Sequence, residues 1–176
     1  GAQELEPRLL SNAPVGTNFA VLGYFNHQGN VLLDPSLPIE GMNGKMHSVV
    51  AAYLRTFSLA GRTAKVDVGV PMGSGGWTGE LAGVDTARAI AGLWDPRIRL
   101  SWTFAGAPAL TAEEFSTYTQ GTTAGASVQV IAPLGQYDPS KLVNLGSNRW
   151  TVRSLVGVSQ AHKDWILEFY GGVWLF

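Results

Sequence analysis

The sequence predicts an all-β fold of antiparallel, up-and-down strands, and three observations carry that reading. Apolar and polar residues alternate with period two in runs of about ten, the spacing of a strand with two unlike faces. Glycine, proline, asparagine and aspartate cluster between those runs, where turns and loops belong. The composition of 22 glycines, six tryptophans, seven phenylalanines and five tyrosines suits strands better than helix bundles.

The elements follow in order. Residues 1–15 carry Pro7 and Pro14 without a period and read as an irregular N-terminal segment. A strand is expected over 16–25, then a long loop over 26–45 holding Asp34-Pro35-Ser36, Pro38, Gly41 and Gly44. A second strand covers 46–59, and the Ala60-Gly61-Arg62 turn leads to a third over 63–72. Gly73-Ser74-Gly75-Gly76 opens an expected flexible loop to residue 91. The fourth strand, 93–104, sets Trp94, Pro96, Ile98, Leu100, Trp102 and Phe104 against Asp95, Arg97, Arg99, Ser101 and Thr103. Thr111-Ala112-Glu113-Glu114 has the spacing of a capping box and predicts a short helix over 112–118. Strands over 122–132, 149–160 and 164–176 complete a set of about seven, with a loop at 133–148 and a turn at 161–163.

Several function classes are excluded early. A net charge of −1 provides no basic field for nucleic acid. No cysteine is present, which removes disulfide scaffolds and thiol nucleophiles. His27, His47 and His162 lack metal-ligand spacing, so no metal and no cofactor is expected. The glycine run lacks the lysine of a phosphate loop, and no Gly-x-Ser-x-Gly elbow occurs. Glu113 and Glu114 are neighbours that diverge on a helix and read as a solvated cap. The expectation is therefore a protein that is not an enzyme.

Period two fits two arrangements. In a soluble β-sandwich or lipocalin-like binder the apolar faces point inward, and Tyr53, Trp102 and Phe169 belong to a buried interior. In a transmembrane barrel the apolar faces meet lipid and the charged ones line a lumen. No run approaches the roughly 18 apolar residues of a spanning helix, which leaves a spanning barrel open. Charged residues are only 14 %, against roughly 25 % in ordinary soluble domains. Long and short connections alternate except at 105–121, as outer-membrane barrels alternate external loops with periplasmic turns. Trp94 and Trp150 lie near the loop ends of apolar faces and Trp102 and Trp165 near the turn ends, where two interfacial girdles belong. Strands of about ten residues, tilted by about 45°, reach about 23 Å, close to the apolar height of such barrels.

One resemblance favours the second arrangement. Ala132-Pro133-Leu134-Gly135-Gln136-Tyr137-Asp138-Pro139, with Lys141-Leu142, Asn144-Leu145-Gly146 and Asn148-Arg149-Trp150, resembles the outer-membrane transporters of the phenol-degradation meta-pathway family. Asn12-Ala13-Pro14-Val15-Gly16-Thr17-Asn18-Phe19, Asp34-Pro35-Ser36-Leu37-Pro38 and Asp95-Pro96-Arg97 are similar to the same family. The resemblance implies a bacterial outer-membrane β-barrel of about twelve strands. On that reading residues 1–176 are a single barrel domain with C-terminal strands missing, reached by export through a signal peptide not present in this chain. The odd strand count points the same way, because closed single-chain barrels normally use even numbers.

The expected function is passive uptake of small, aromatic or anionic molecules. The polar faces supply Tyr53, Arg55, Lys65, Asp67, Arg97, Arg99, Gln129, Arg153 and Glu168 as lumen lining, with positive charge in excess. The expected partners are the lipid bilayer of the outer membrane and small hydrophobic or aromatic molecules; the oligomeric state is not legible. A structural, non-conducting barrel is the alternative, in which the same charges pair into a brace.

Overall fold

The computed structural model describes residues 8–30, 39–81, 84–141, 144–162 and 165–176. They form one antiparallel sheet, built of β1 (Asn18–Asn30), β2 (Ile39–Leu59), β3 (Arg62–Leu81), β4 (Val84–Leu93), β5 (Arg97–Ala105), β6 (Thr122–Ile131), β7 (Thr151–His162) and β8 (Trp165–Leu175). The spatial order is β1-β2-β3-β5-β6-β7-β8, with β4 paired to the far half of β3. Every neighbour in that order is the next strand in the chain, apart from the β4 interruption. This is the up-and-down topology that the alternation predicts.

Two boundaries differ from expectation. The glycine-rich stretch 73–91 is a hairpin rather than a flexible loop: Met72–Leu81 pair with Val84–Leu93, and the register runs without a shift. Gly73 to Gly76 are also paired to Ser48 through Lys45 of β2. Glycine, serine and alanine leave no hydrophobic period to read, yet their backbone groups form the ladder all the same. Likewise β1 runs to Asn30 and β2 starts at Ile39, so most of the predicted loop 26–45 is strand. Asp34-Pro35-Ser36 and Pro38 lie outside the described residues. At about 3.3 Å per residue, the eight residues of β2 before His47 give the β2-β3-β4 arm roughly 26 Å, and β1 follows it as far as Asn43.

The fourth predicted strand is broken. β4 ends at Leu93 and β5 begins at Arg97, both against β3, with Trp94 N donating to Pro71 O across the gap. Pro96 cannot donate to a ladder, which places the interruption there. The Trp94 indole consequently leaves the outer girdle expected of it. Its Nε1 lies 3.2 Å from where a Cβ on Gly73 would stand. The helix α1 is shorter than predicted, Ala112–Phe115, but both arms of its capping box are present between Thr111 and Glu114. The β2–β3 turn is tight, with Ala60 and Gly61 at φ 50° and 71°, the left-handed pair that suits a two-residue hairpin.

The two faces of the sheet decide how it is used. Register places Val68, Ile98, Val130, Val152 and Leu175 in one row, and Val66, Leu100, Val128, Ser154 and Val173 in the next. This face is open: Ile98, Leu100 and Val128 are each close to half exposed, Val156 is 60 % exposed and Phe169 74 %. The opposite face is polar and covered, with Thr56, Thr63, Thr123 and Ser159 under 2 % exposed. Among the described residues no second sheet covers the apolar face, so the soluble sandwich arrangement does not hold. A contiguous apolar surface of this extent is abnormal for a water-facing monomer and ordinary for a lipid-facing one. Trp150 and Trp165 bound the band on β7 and β8, both strongly exposed. Twelve residues along β7 separate Trp150 from the partner of Trp165, His162, about 28 Å once a tilt of about 45° is allowed.

Candidate functional site

The polar face is organised by a single register row. Phe19 of β1 stands beside Leu54 of β2, then Asp67, Arg99, Gln129, Arg153 and Trp174 follow on successive strands. Because side chains alternate, all seven point to the same side of the sheet. At the centre, Arg99 Nε donates to Asp67 Oδ2 at 2.8 Å, with both side chains only 14 % exposed. Arg97 lies one turn of the pleat away and leans across β3. Its Nε and Cγ sit 3.2 and 3.4 Å from the position a Cβ on Gly69 would take. Gly69 therefore makes room for a guanidinium to lie flat on the wall. Gln129 is 2 % exposed, and its Oε1, like Ser101 Oγ, has no hydrogen-bond partner among the described residues.

Lys65 belongs to the next row, with Ser101, Ser127 and Leu155. Its Nζ donates to two backbone carbonyls, Leu9 O at 3.2 Å and Ser11 O at 2.5 Å. Those carbonyls belong to the irregular N-terminal segment, which runs across the polar face at the turn end of the strands. Leu10 is fully buried. A side chain at Gly125 would stand 2.6 Å from Leu10 Cδ2, so β6 carries glycine where the segment crosses it. Asn12 donates to Pro108 O and accepts from Thr63 Oγ1, while Thr123 Oγ1 donates to Leu10 O. Farther along, Val15 N donates to Leu110 O and Gly16 N to Thr56 O. Glu168 Oε2 accepts from Arg8 N at 3.0 Å and its Oε1 from Tyr170 Oη at 2.8 Å.

The 105–121 connection, the exception to the loop pattern, anchors this strap. Thr63 N donates to Ala107 O, Ala109 N to Gly61 O, and Gln120 Oε1 accepts from Asn12 N. At the other end of the interior the described parts of a second irregular segment, 132–141 and 144–150, fold back toward the β4–β5 break. Asp95 accepts from Gly135 N at 2.8 Å, Ser147 N at 2.6 Å and Ser147 Oγ at 2.7 Å. Within that loop the hydroxyl and amide of Ser140 hold the Asp138 carboxyl below the usual carboxylate range. The Thr111 amide, then its hydroxyl, does the same for Glu114 in the capping box.

Seven of the nine residues predicted to line the lumen stand on this polar face: Lys65, Asp67, Arg97, Arg99, Gln129, Arg153 and Glu168. Tyr53 and Arg55 do not. Tyr53 pairs with Val68 and Arg55 with Val66, so both fall on the apolar face. There Tyr53 Oη donates to Asn18 Oδ1 at 2.7 Å. The physical reason is register: Leu54 and Thr56, not their neighbours, share the side of Asp67 and Lys65. Sequence reasoning missed the strap altogether, as well as Leu54 in the central row; Trp174 falls on the polar side by its alternation but is not among the predicted lumen residues. Leu9-Leu10 inside an otherwise period-free segment, and a glycine in the polar stripe of β6, were the available signals.

The profile of the family described as "Putative MetA-pathway of phenol degradation" matches residues 45–173, well over half of the chain. The chain belongs to that family. Among solved structures it is similar to an outer membrane channel from Pseudomonas putida F1, at 19 % identity and a TM-score of 0.68. The match covers 97 % of this chain and 60 % of the channel, so the phenol-degradation family member described here spans about three fifths of that protein's length. A comparison with curated proteins finds no match. The shared fold is the antiparallel wall of an outer-membrane barrel, seen here as an open sheet with β1 and β8 at its edges.

Proposed function

We propose that this protein is an outer-membrane β-barrel channel that passes small molecules passively, with a preference for anions and aromatic compounds, and performs no catalysis. The observation that carries the proposal is the inversion of the sheet: half-exposed Ile98, Leu100 and Val128 on one face, and the covered Asp67–Arg99 pair on the other. Lipid is the solvent such a surface fits, and the bilayer is accordingly its principal partner. Of the lumen residues on the polar face, Lys65, Arg97, Arg99 and Arg153 are cationic while Asp67 and Glu168 are anionic. Inside low-dielectric walls an excess of that sign concentrates anions. The similarity to a Pseudomonas outer membrane channel supports the same reading.

A second reading rests on the strap. Leu10 is fully buried and Lys65 is engaged by two strap carbonyls, features of an interior braced and filled rather than open. Planar-bilayer recordings on the complete protein separate the two. Replacing Arg97 and Arg99 by glutamine is expected to shift the reversal potential toward cation preference under a salt gradient. An unchanged reversal potential removes this pair from the conduction path, and an absence of current in the wild type favours the filled barrel.

A further inference from the structure

Two guanidinium groups stand on the apolar side of the sheet, at its turn end. Register puts Arg55 of β2 in the row of Val66, Leu100 and Val128, and Arg62, the first residue of β3, opposite Leu59 on the same face. Arg55 is exposed and Arg62 half-buried. Among the described residues neither guanidinium forms an ion pair or a side-chain hydrogen bond. Arg55 lies between β1 and β3, and Arg62 between Leu59 and its bridge to Pro108, so the exposure of neither comes from an open edge. Their rows are four residues apart, about 13 Å at about 3.3 Å per residue, with Phe57, Ala64 and Trp102 in the row between. The Trp102 indole donates to Leu59 O at 3.2 Å, which places an aromatic ring at the same level.

Depth and sign of charge identify the occupant. An arginine on the lipid wall of a barrel costs about 2–4 kcal/mol at the bilayer midplane and about 0–1 kcal/mol near an interface, so Arg55 and Arg62 belong at an interface. On β2 the same face runs from Arg55 through Tyr53, Ala51 and Val49 to His47 and Lys45. Those ten residues, tilted by about 45°, span about 23 Å, which sets Lys45 at the opposite interface. The paired acids of this face, Glu80 and Asp85, sit at the far end of the β3–β4 arm. Glu113 and Glu114 of α1 pair with neither arginine. The turn-end rim of the lipid-facing wall is therefore cationic. Short turns of outer-membrane barrels face the periplasm, where the leaflet is phospholipid. A guanidinium fork matches a phosphate through paired N–H donors, and the long side chain reaches from an apolar wall to headgroup level. We propose that Arg55 and Arg62, on either side of Phe57, form a headgroup site for anionic phospholipid in the turn-end leaflet. The proposal rests on the membrane-barrel reading above and deepens it. In a zwitterionic lipid the headgroup's own ammonium offsets the phosphate, so the site favours phosphatidylglycerol over phosphatidylcholine.

The test uses the complete protein in proteoliposomes, with a bimane fluorophore on Phe57→Cys and, in a second preparation, on Val156→Cys of the uncharged β7 wall. Phosphatidylglycerol and phosphatidylcholine carrying a nitroxide high on the acyl chain serve as quenchers. At Phe57→Cys the labelled phosphatidylglycerol is expected to bind about fivefold more tightly than the labelled phosphatidylcholine, the ratio that one cation at an anionic surface gives. At Val156→Cys the two lipids are expected to quench equally. Arg55→Gln combined with Arg62→Gln is expected to remove the preference at Phe57→Cys, and the corresponding pair of lysine substitutions is expected to keep most of it, because the charge stays. Leu59→Cys reports the same locality should Phe57→Cys not refold. Equal quenching by the two lipids beside the arginines, or a preference that survives the glutamine pair, overturns the headgroup site while leaving the membrane reading intact. An absence of quenching by either lipid at Phe57→Cys and Val156→Cys alike contradicts the membrane reading, and the headgroup site falls with it.

Discussion

Two irregular segments fold over the polar face, and they are held in opposite ways. The strap at the turn end is dense: Leu10 is fully buried, Asn12 is 8 % exposed, and their partners Thr63 and Thr123 are 1 % and 0 % exposed. The described parts of the loop-end segment, 132–141 and 144–150, are held by Gly135 N on Asp95 and Gln136 N on Leu93 O, but the bonds of Ser147 to Asp95 stay exposed and Leu134 is 69 % exposed. A buried polar group that loses its partner bears the whole desolvation cost, whereas an exposed one turns to water. The same polypeptide chemistry therefore yields a brace of buried polar bonds at one end of the interior and a cover whose Ser147 bonds water can replace at the other.

The largest expected effect comes from breaking the brace. Gly125→Val would put a side chain within 2.6 Å of Leu10 Cδ2 and 2.7 Å of Trp102 O. The Leu10 contact is relieved only if the strap moves off, and the Trp102 carbonyl is β5 backbone that strains the β5–β6 pairing as well, at a cost of about 3 kcal/mol. Urea unfolding of the protein refolded in detergent reads that loss, and protease cleavage within the strap should appear at the same time. Next, Thr63→Val removes the hydroxyl that donates to Asn12 Oδ1 at 2.5 Å. The variant is expected to be less stable by about 1 kcal/mol in the same assay, since Asn12 Oδ1 keeps only Ala13 N and has little water to turn to.

The loop end should respond far less. Ser147→Ala deletes one exposed hydrogen bond to Asp95 at 2.7 Å, and the expected loss is about 0.5 kcal/mol. A loss as large as that of Thr63→Val would mean that the two ends are equally rigid. The smallest effect concerns pH. The Asp138 carboxyl is held below its usual range by Ser140, so its contribution is present above the unfolded-state value and fades as pH falls through the lowered one. Ser140→Ala should move the Asp138 titration, followed by NMR, upward toward the ordinary carboxylate range.

What the sequence showed and what it hid divide along physical lines. Strong alternation made β6 and the end of β5 legible to within one residue, because Arg97, Arg99 and Gln129 interrupt branched aliphatic residues at every second position, while the start of β5 was set four residues early, across Pro96. The arm of β3 and β4 was not legible: Gly73-Ser74-Gly75-Gly76 carries no face to read, and its pairing is backbone alone. Tyr53 and Arg55 were assigned to the wrong face because β2 has apolar residues on both sides near Leu54, where a shift of one residue exchanges the faces. The strap was invisible for a further reason. Its partners, Lys65, Thr63 and Gly125, lie more than fifty residues away in the chain and advertise nothing individually.

The central claim is that branched aliphatic side chains of this sheet face hydrocarbon and its charged row faces enclosed water. These 176 residues contain no cysteine, so a label introduced among them has no competing thiol there. Labels at Leu100→Cys and Val128→Cys, compared with Arg97→Cys and Gln129→Cys in proteoliposomes, test it most directly through collision with oxygen and with a water-soluble nickel complex. The account predicts oxygen-dominated relaxation at Leu100 and Val128 and nickel-dominated or doubly shielded relaxation at Arg97 and Gln129. Nickel access at Leu100 and Val128, with oxygen prevailing at Arg97 and Gln129, would contradict it.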